Sequence, residues 1–243
     1  MRALALVNQT DSGIGVFREA IADAGWELLE WRILDGEERP MDPLEADAVF
    51  SLGGAMNVDQ RDRFPALEDE TAILAEVHAD EIPLLGVCLG AQLVSGALGG
   101  SPGRASQPEI GWHEVEVTPA GQADPLLDGL APSFEAFQWH SYESAPPEGV
   151  EVLARSPVCV QAFRAGTSTW AIQFHAEVSA ADALHWISIY DSDPDAVRIG
   201  VDPAVLGPET ERRMPAWNAV GRELCDRFLA AAIEIRTQGA SPG

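Results

Sequence analysis

The stretch Pro83-Leu84-Leu85-Gly86-Val87-Cys88-Leu89-Gly90-Ala91-Gln92 decides how this chain is read. Residues 83–87 form a short apolar run, the composition of a strand covered on both faces of a parallel sheet. Residues 91–98 predict the helix that follows. Cys88 therefore stands on the turn between them, with Gly86 two residues before it and Gly90 two after. Gly-x-Cys-x-Gly is the cysteine form of a nucleophile elbow, a tight and strained turn that needs small flanking residues. The turn pushes the side chain out at the sheet edge, and the N-terminus of the next helix favours a thiolate there. Taken by itself, the segment favours a nucleophile over the alternative of a buried core cysteine.

Working outward, residues 3–7, 26–31 and 48–52 read as strands, and residues 15–24 and 66–79 as helices. Alternating β and α units argue for a parallel sheet with helices on both faces. In such a sheet the site lies at the carboxyl ends of the strands. Gly53-Gly54 and Cys88 both fall there. Glycines after a strand can present N–H groups to a developing oxyanion, although a plain tight turn is their commoner role.

From Trp112 onward the pattern shifts to shorter strands at residues 114–117, 150–153, 158–163 and 169–174, expected as partly antiparallel additions to the sheet. Residues 180–190 and 209–235 read as helices. A Pro- and Asp-rich connection joins them over residues 191–208, and residues 239–243 read as a loose tail. No repeat or domain linker is visible, so one domain is expected over 1–243, with a C-terminal helical extension over about 179–236.

The segment Trp170-Ala171-Ile172-Gln173-Phe174-His175-Ala176-Glu177 places a histidine and a carboxylate two residues apart after an apolar strand. A cysteine nucleophile needs a base to take its proton and later protonate the leaving amine. That base needs a carboxylate to fix its tautomer. Without a nearby nucleophile, His175 and Glu177 would be an ordinary ion pair.

The composition narrows the chemistry. Acidic residues number 39 against 15 basic ones, for a net charge of −24. That field disfavours nucleic acid and anionic membrane as partners. Every basic residue is arginine, which excludes a Schiff-base lysine, a pyridoxal phosphate enzyme and a Walker A loop. No apolar run approaches the roughly 18 residues of a membrane span. The opening residues are too short an apolar stretch for a signal peptide, so a reducing cytoplasm is expected. Cys88, Cys159 and Cys225 are widely spaced and suggest neither a disulfide framework nor a zinc motif. No His/Cys/Asp cluster has metal-ligand spacing, so no metal and no cofactor are expected. Cys159 and Cys225 are expected in the core, His113 as structural ahead of substrate-proximal, and His78 and His185 on the surface.

Four strings stand together in order: Gly53-Gly54-Ala55-Met56, Gly86-Val87-Cys88-Leu89-Gly90-Ala91-Gln92, Gln138-Trp139-His140-Ser141-Tyr142 and Gln173-Phe174-His175-Ala176-Glu177. They resemble the class I (triad) glutamine amidotransferases, particularly stand-alone members related to the glutaminase domain of GMP synthase. The resemblance implies a flavodoxin-like, doubly wound, mostly parallel α/β sheet. It also implies hydrolysis of the glutamine side-chain amide through a γ-glutamyl thioester on Cys88, with His175 and Glu177 completing the triad. By position Gly54 and Leu89 would supply the oxyanion N–H groups. Gly53, Gln92, Trp139, His140, Ser141 and Tyr142 would line the substrate pocket, with His140 a pocket or structural residue rather than a second base. Two departures are visible: Ala176 where the family usually has proline after the histidine, and Ala55 where the oxyanion loop commonly reads Gly-Gly-Pro. Alanine leaves each backbone freer but removes no catalytic atom.

Three functions remain on this footing. The first is a glutaminase that passes ammonia to a separate synthase protein. The second is an autonomous hydrolase of γ-glutamyl amides or peptides using the same thioester. The third is a non-catalytic binding protein, which predicts a broken triad.

Overall fold

A computed structural model describes residues 1–8, 13–130 and 132–239. In chain order the elements are β1 (Arg2–Leu6), α1 (Phe17–Asp23), β2 (Glu27–Trp31), β3 (Ala48–Ser51), α2 (Ala66–Ala79), β4 (Leu84–Val87), α3 (Leu89–Ala97) and β5 (Gly103–Val117). There follow α4 (Pro119–Gln122), β6 (Ser133–Glu143), β7 (Glu151–Arg155), β8 (Val160–Ala165), β9 (Thr169–Ile172), α5 (Ala180–Ser188), α6 (Pro194–Ile199) and α7 (Pro203–Gly239).

The strands make one sheet in the order β2-β1-β3-β4-β9-β8-β7-β5-β6. The first five are parallel, in the 2-1-3-4-5 order of flavodoxin-like folds. The remaining pairings are antiparallel. Strand β9, expected among the partly antiparallel additions, runs parallel to β4, pairing Leu85 with Trp170 and Val87 with Ile172. It closes the parallel core, while its other edge takes β8 antiparallel.

Side chains that alternate along β1 show why both faces are covered. Ala3 and Ala5 join the core beneath α1 and α7, with Phe17, Phe50 and Phe228. Leu4 and Leu6 join the opposite core, with Leu67 and Leu74 of α2 and Leu93 of α3. The rings of Phe50 and Phe228 meet edge-on at 5.0 Å, anchoring α7 on the sheet.

The connection expected over residues 191–208 is instead largely helical: a 3₁₀ turn at Tyr190–Ser192, then α6, then α7 from Pro203. Its Asp-Pro pairs are helix starts. The Asp193 side chain accepts from the N–H groups of Asp195 and Ala196, and Pro194 takes the first helical position. Asp202 likewise accepts from Ala204 N, with Pro203 between them. Residues 240–243 of the expected tail lie outside the described residues; Gly239 is the last residue of α7.

Candidate active site

The ends of β3, β4 and β9, neighbours in the sheet, bring together the three motifs that the sequence holds far apart. Cys88 has φ 52° and ψ −107°, a strained conformation for a residue with a Cβ. Its flanking glycines have physical reasons. A Cβ on Gly90 would lie 1.9 Å from the Ser51 carbonyl oxygen, and one on Gly86 2.8 Å from the Gly90 carbonyl oxygen. The elbow therefore packs backbone against backbone, and larger residues would force it open.

His175 interacts electrostatically with Cys88 on one side, while the Cys88 Sγ lies 4.0 Å from the Trp139 carbonyl oxygen. On the other side the His175 Nδ1 lies 2.8 Å from Glu177 Oε1. Both residues are buried. Burial works against a charged imidazole, but the Glu177 carboxylate and then the Cys88 sulfur outweigh it and hold the His175 pKa well above its ordinary value. The loop carrying the pair is fastened from behind. Trp217 Nε1 donates to the His175 carbonyl at 2.8 Å, Asn218 Nδ2 to the Val178 carbonyl at 2.8 Å, and Val16 N to the Glu177 carbonyl at 2.7 Å. At Ala176, where the family usually has proline, these three bonds from α7 and the start of α1 restrain the chain.

Cys88 opens on a cleft of about 640 Å³. Gly54, Leu89, Gln92, Trp139, His140, Ser141 and Tyr142, all expected at the site, line it with Cys88 and His175. Gly53 and Glu177 stand behind it: a Cβ on Gly53 would be 3.1 Å from His175 Cε1. Gln92 Nε2 donates to the Tyr142 carbonyl at 3.2 Å, tying the elbow helix to β6. Leu89 is the first residue of α3, where N–H groups have no acceptor within the helix.

Several lining residues are not singled out for the site by the sequence pattern: Arg104, Trp186 and the segment 192–195. The Trp186 ring meets His175 edge-on at 5.0 Å. Asp193 Oδ2 accepts from Trp139 Nε1 at 3.0 Å, and Arg104 holds both oxygens of Asp195 at 2.6 and 2.8 Å. Against a burial cost, Arg104 and Arg198 pull Asp195 down to about 2, so this contact stays ionic across the useful pH range. Together these contacts seat α6 as a cap over the cleft. The Asp-Pro start of α6 is the one clue to it in the sequence.

Where sequence spacing shows no ligand-like cluster, the fold makes one. Glu109, His140 and Cys159 place donor atoms within 4.8 Å of one another, all buried. This is a second Cys–His–Glu set, built around the carboxylate. Glu109 Oε2 accepts from Ser156 Oγ at 2.9 Å and Gln161 Nε2 at 2.8 Å, faces His140 Nε2 at 3.4 Å, and lies 3.6 Å from Cys159 Sγ. Against burial, His140 and then Ser156 keep the Glu109 pKa below its ordinary value. Burial, followed by the Glu109 charge, pushes the Cys159 thiol up. Cys225 is also buried, as expected. His113 Nε2 contacts the Ile110 carbonyl at 3.1 Å. His78 is half-buried rather than a surface residue, its Nδ1 2.9 Å from Thr169 Oγ1, while His185 is exposed.

Residues 14–186 match the family model of the class I glutamine amidotransferases. The chain belongs to that family. Its members are cysteine-dependent amide hydrolases with a Cys–His–Glu arrangement. Over 138 residues the chain is 36% identical to a glutamine-hydrolysing GMP synthase subunit of Sulfolobus acidocaldarius, covering 55% of this chain and 69% of that one. It is 30% identical over 167 residues to the protein of the same name from Natronomonas pharaonis, covering 68% and 82%. A crystal structure of a glutamine amidotransferase from Thermotoga maritima superposes with a TM-score of 0.84 at 27% identity, covering 94% of this chain and 98% of that one. Among the described residues no helix is long and apolar enough to cross a membrane.

Proposed function

We propose that this amidotransferase hydrolyses the side-chain amide of glutamine through a γ-glutamyl thioester on Cys88, and that a separate synthase protein uses the ammonia. The observation that carries this reading is the strained elbow cysteine sharing a cleft, and an electrostatic interaction, with a buried His175 that is paired to Glu177. His175 takes the thiol proton as sulfur attacks the amide carbon, and returns it to the leaving ammonia. Glu177 holds the imidazole in orientation and stabilises its charge. The N–H groups of Gly54 and Leu89 receive the oxyanion, and water then releases glutamate. Gln92 and the Trp139–Tyr142 segment hold the substrate. The partner is inferred from the relatives, which are named as one subunit of a GMP synthase rather than as the whole enzyme.

Labelling with a diazoketone glutamine analogue followed by peptide mass mapping tests this directly. The adduct is expected on Cys88; an adduct on Cys159 or Cys225 instead would overturn the assignment.

The cap favours a second reading. Asp193 and Asp195, bound to Trp139 and Arg104, enclose the same cleft from within the chain. An autonomous hydrolase of γ-glutamyl amides or peptides would use that enclosure. Turnover of γ-glutamyl conjugates without a partner, with glutamine ignored, would select it over the first.

A further inference from the structure

Beneath the cleft, outside the residues that line it, lies a carboxylate that the chemistry above does not use. Glu70, on α2, is fully buried. Its Oε1 accepts from Ser51 Oγ at 2.7 Å and from Asn8 Nδ2 at 3.2 Å. These two partners are the supports of the two oxyanion N–H groups. Ser51 ends β3, and the first turn of α3 rests on it: a Cβ on Gly90 would meet the Ser51 carbonyl oxygen at 1.9 Å and its Oγ at 2.6 Å. Asn8 follows β1 and carries the other half. Its Nδ2 also donates to the Leu52 carbonyl at 3.1 Å, just before Gly53-Gly54. A Cβ on Gly54 would stand 3.0 Å from Asn8 Cβ, from the Asn8 carbonyl oxygen and from Leu89 Cδ2. One oxygen thus ties the strand under Leu89 to the side chain under Gly54.

We propose that Glu70 is the positioning residue of the oxyanion hole, fixing the separation of the Gly54 and Leu89 N–H groups through Ser51 and Asn8. The inference rests on the thioester reading above and adds a residue to it. Glu70 touches no substrate and acts through its two partners. Burial, outweighing both hydrogen bonds, raises its pKa to about 7, so near neutrality much of it is an uncharged acceptor. A neutral support suits a site where negative charge must develop nearby.

The experiment compares wild type with Glu70→Gln, Glu70→Met, Ser51→Ala and Asn8→Ala. Each is checked by thermal melt, by kcat and KM for glutamine, and by the rate of Cys88 alkylation with iodoacetamide. Alkylation is a displacement at saturated carbon and needs no oxyanion hole, so it separates misplaced N–H groups from a damaged nucleophile. Glutamine at position 70 can keep both bonds and is expected to retain kcat within about threefold. Methionine removes the acceptor and is expected to lower kcat about 100-fold, with KM and alkylation rate within about threefold of wild type. Should Glu70→Met fail to fold, the single-arm variants carry the test. Ser51→Ala and Asn8→Ala should each lower kcat about tenfold with alkylation unchanged. Folded Glu70→Met or single-arm variants with wild-type kcat would overturn the proposal, as would parallel losses in hydrolysis and alkylation. A wild-type protein that forms no γ-glutamyl thioester would remove the functional reading itself, and this inference with it.

Discussion

The chain holds two sets of the same three residue types, and their wiring differs. In one, His175 lies between the Cys88 sulfur and the Glu177 carboxylate. In the other, Glu109 lies between Cys159 and His140, with Ser156 and Gln161 also donating to it. A histidine in the middle can take a proton from sulfur and hand it on. A carboxylate in the middle instead helps hold a thiol in its protonated form: burial first, and then the Glu109 charge, push the Cys159 thiol up. Backbone placement completes the contrast: Cys88 is thrust from a strained turn into the cleft, whereas Cys159 sits between strands β7 and β8. Residue type alone does not make a triad; the order of contact and the access do.

The sharpest way to break this contrast is to remove each sulfur in turn. Cys88→Ser is expected to lower glutamine hydrolysis about 10⁴-fold or more, as loss of a nucleophile does. Cys159→Ser should leave kcat within about threefold, since a serine hydroxyl can still donate to Glu109. Steady-state assays on both variants decide it, and the opposite ranking would transfer the chemistry to the second set.

The two histidines give the next largest difference. His175→Asn is expected to reduce kcat about 10²- to 10⁴-fold, the range for a lost general acid–base. His140→Asn should act through substrate binding and stability, because His140 lines the cleft and braces Glu109. The kcat-against-KM split separates the two. A kcat collapse in His140→Asn with unchanged KM would make the second set part of the reaction.

A third comparison concerns what holds the molecule together. Glu109 is buried among donors, and removing one member of such a group leaves the others unpaired. Glu109→Ala is expected to cost about 3–5 kcal/mol of stability. Its folded-state pKa is depressed, so its stabilisation is present above the unfolded value of 4.5 and is lost as pH falls through the lower folded value. Chemical denaturation at neutral pH and again at a pH below the unfolded value checks both parts. Wild type should lose stability between them, and Glu109→Gln should show a smaller loss. An acid slope unchanged in Glu109→Gln would assign that stability to other carboxylates.

How much of this is legible in the sequence follows from which forces are local. Helix α2 is legible at its observed bounds, because its apolar positions recur at helical spacing within one segment. The placement of Cys88, His175, Glu177 and Gly54 just past strand ends is legible because each follows a short apolar strand. Strand β6 is not: its pattern is irregular, and its structure comes from pairing with β5, Ile110 opposite Trp139. The Glu109–His140–Cys159 set depends on three separate strands or their edges, so no spacing rule reveals it. The α6 cap reads as a connection because Asp and Pro mark both loops and helix starts, and only the Asp193 bonds to Asp195 N and Ala196 N settle which.

The cap supplies the smallest and most selective test, because it touches the Cys88 cleft and spares the second set. Asp193 has two tasks on two oxygens: Oδ1 caps α6, and Oδ2 accepts from Trp139 Nε1. Asp193→Asn can keep the cap through its remaining oxygen while presenting an NH₂ group to a tryptophan that can only donate. One hydrogen bond worth about 1 kcal/mol is lost, so KM should rise about three- to tenfold. The melting temperature should fall by no more than about 4 °C, because the packing of α6 and the Arg104–Asp195 pair remain. If the cap encloses the leaving group, the KM increase will be larger for γ-glutamyl peptides than for glutamine, whose leaving group is ammonia. Equal increases for both substrates would limit Asp193 to placing Trp139. A larger fall in melting temperature with KM unchanged would show that α6 stabilises the fold without shaping the cleft.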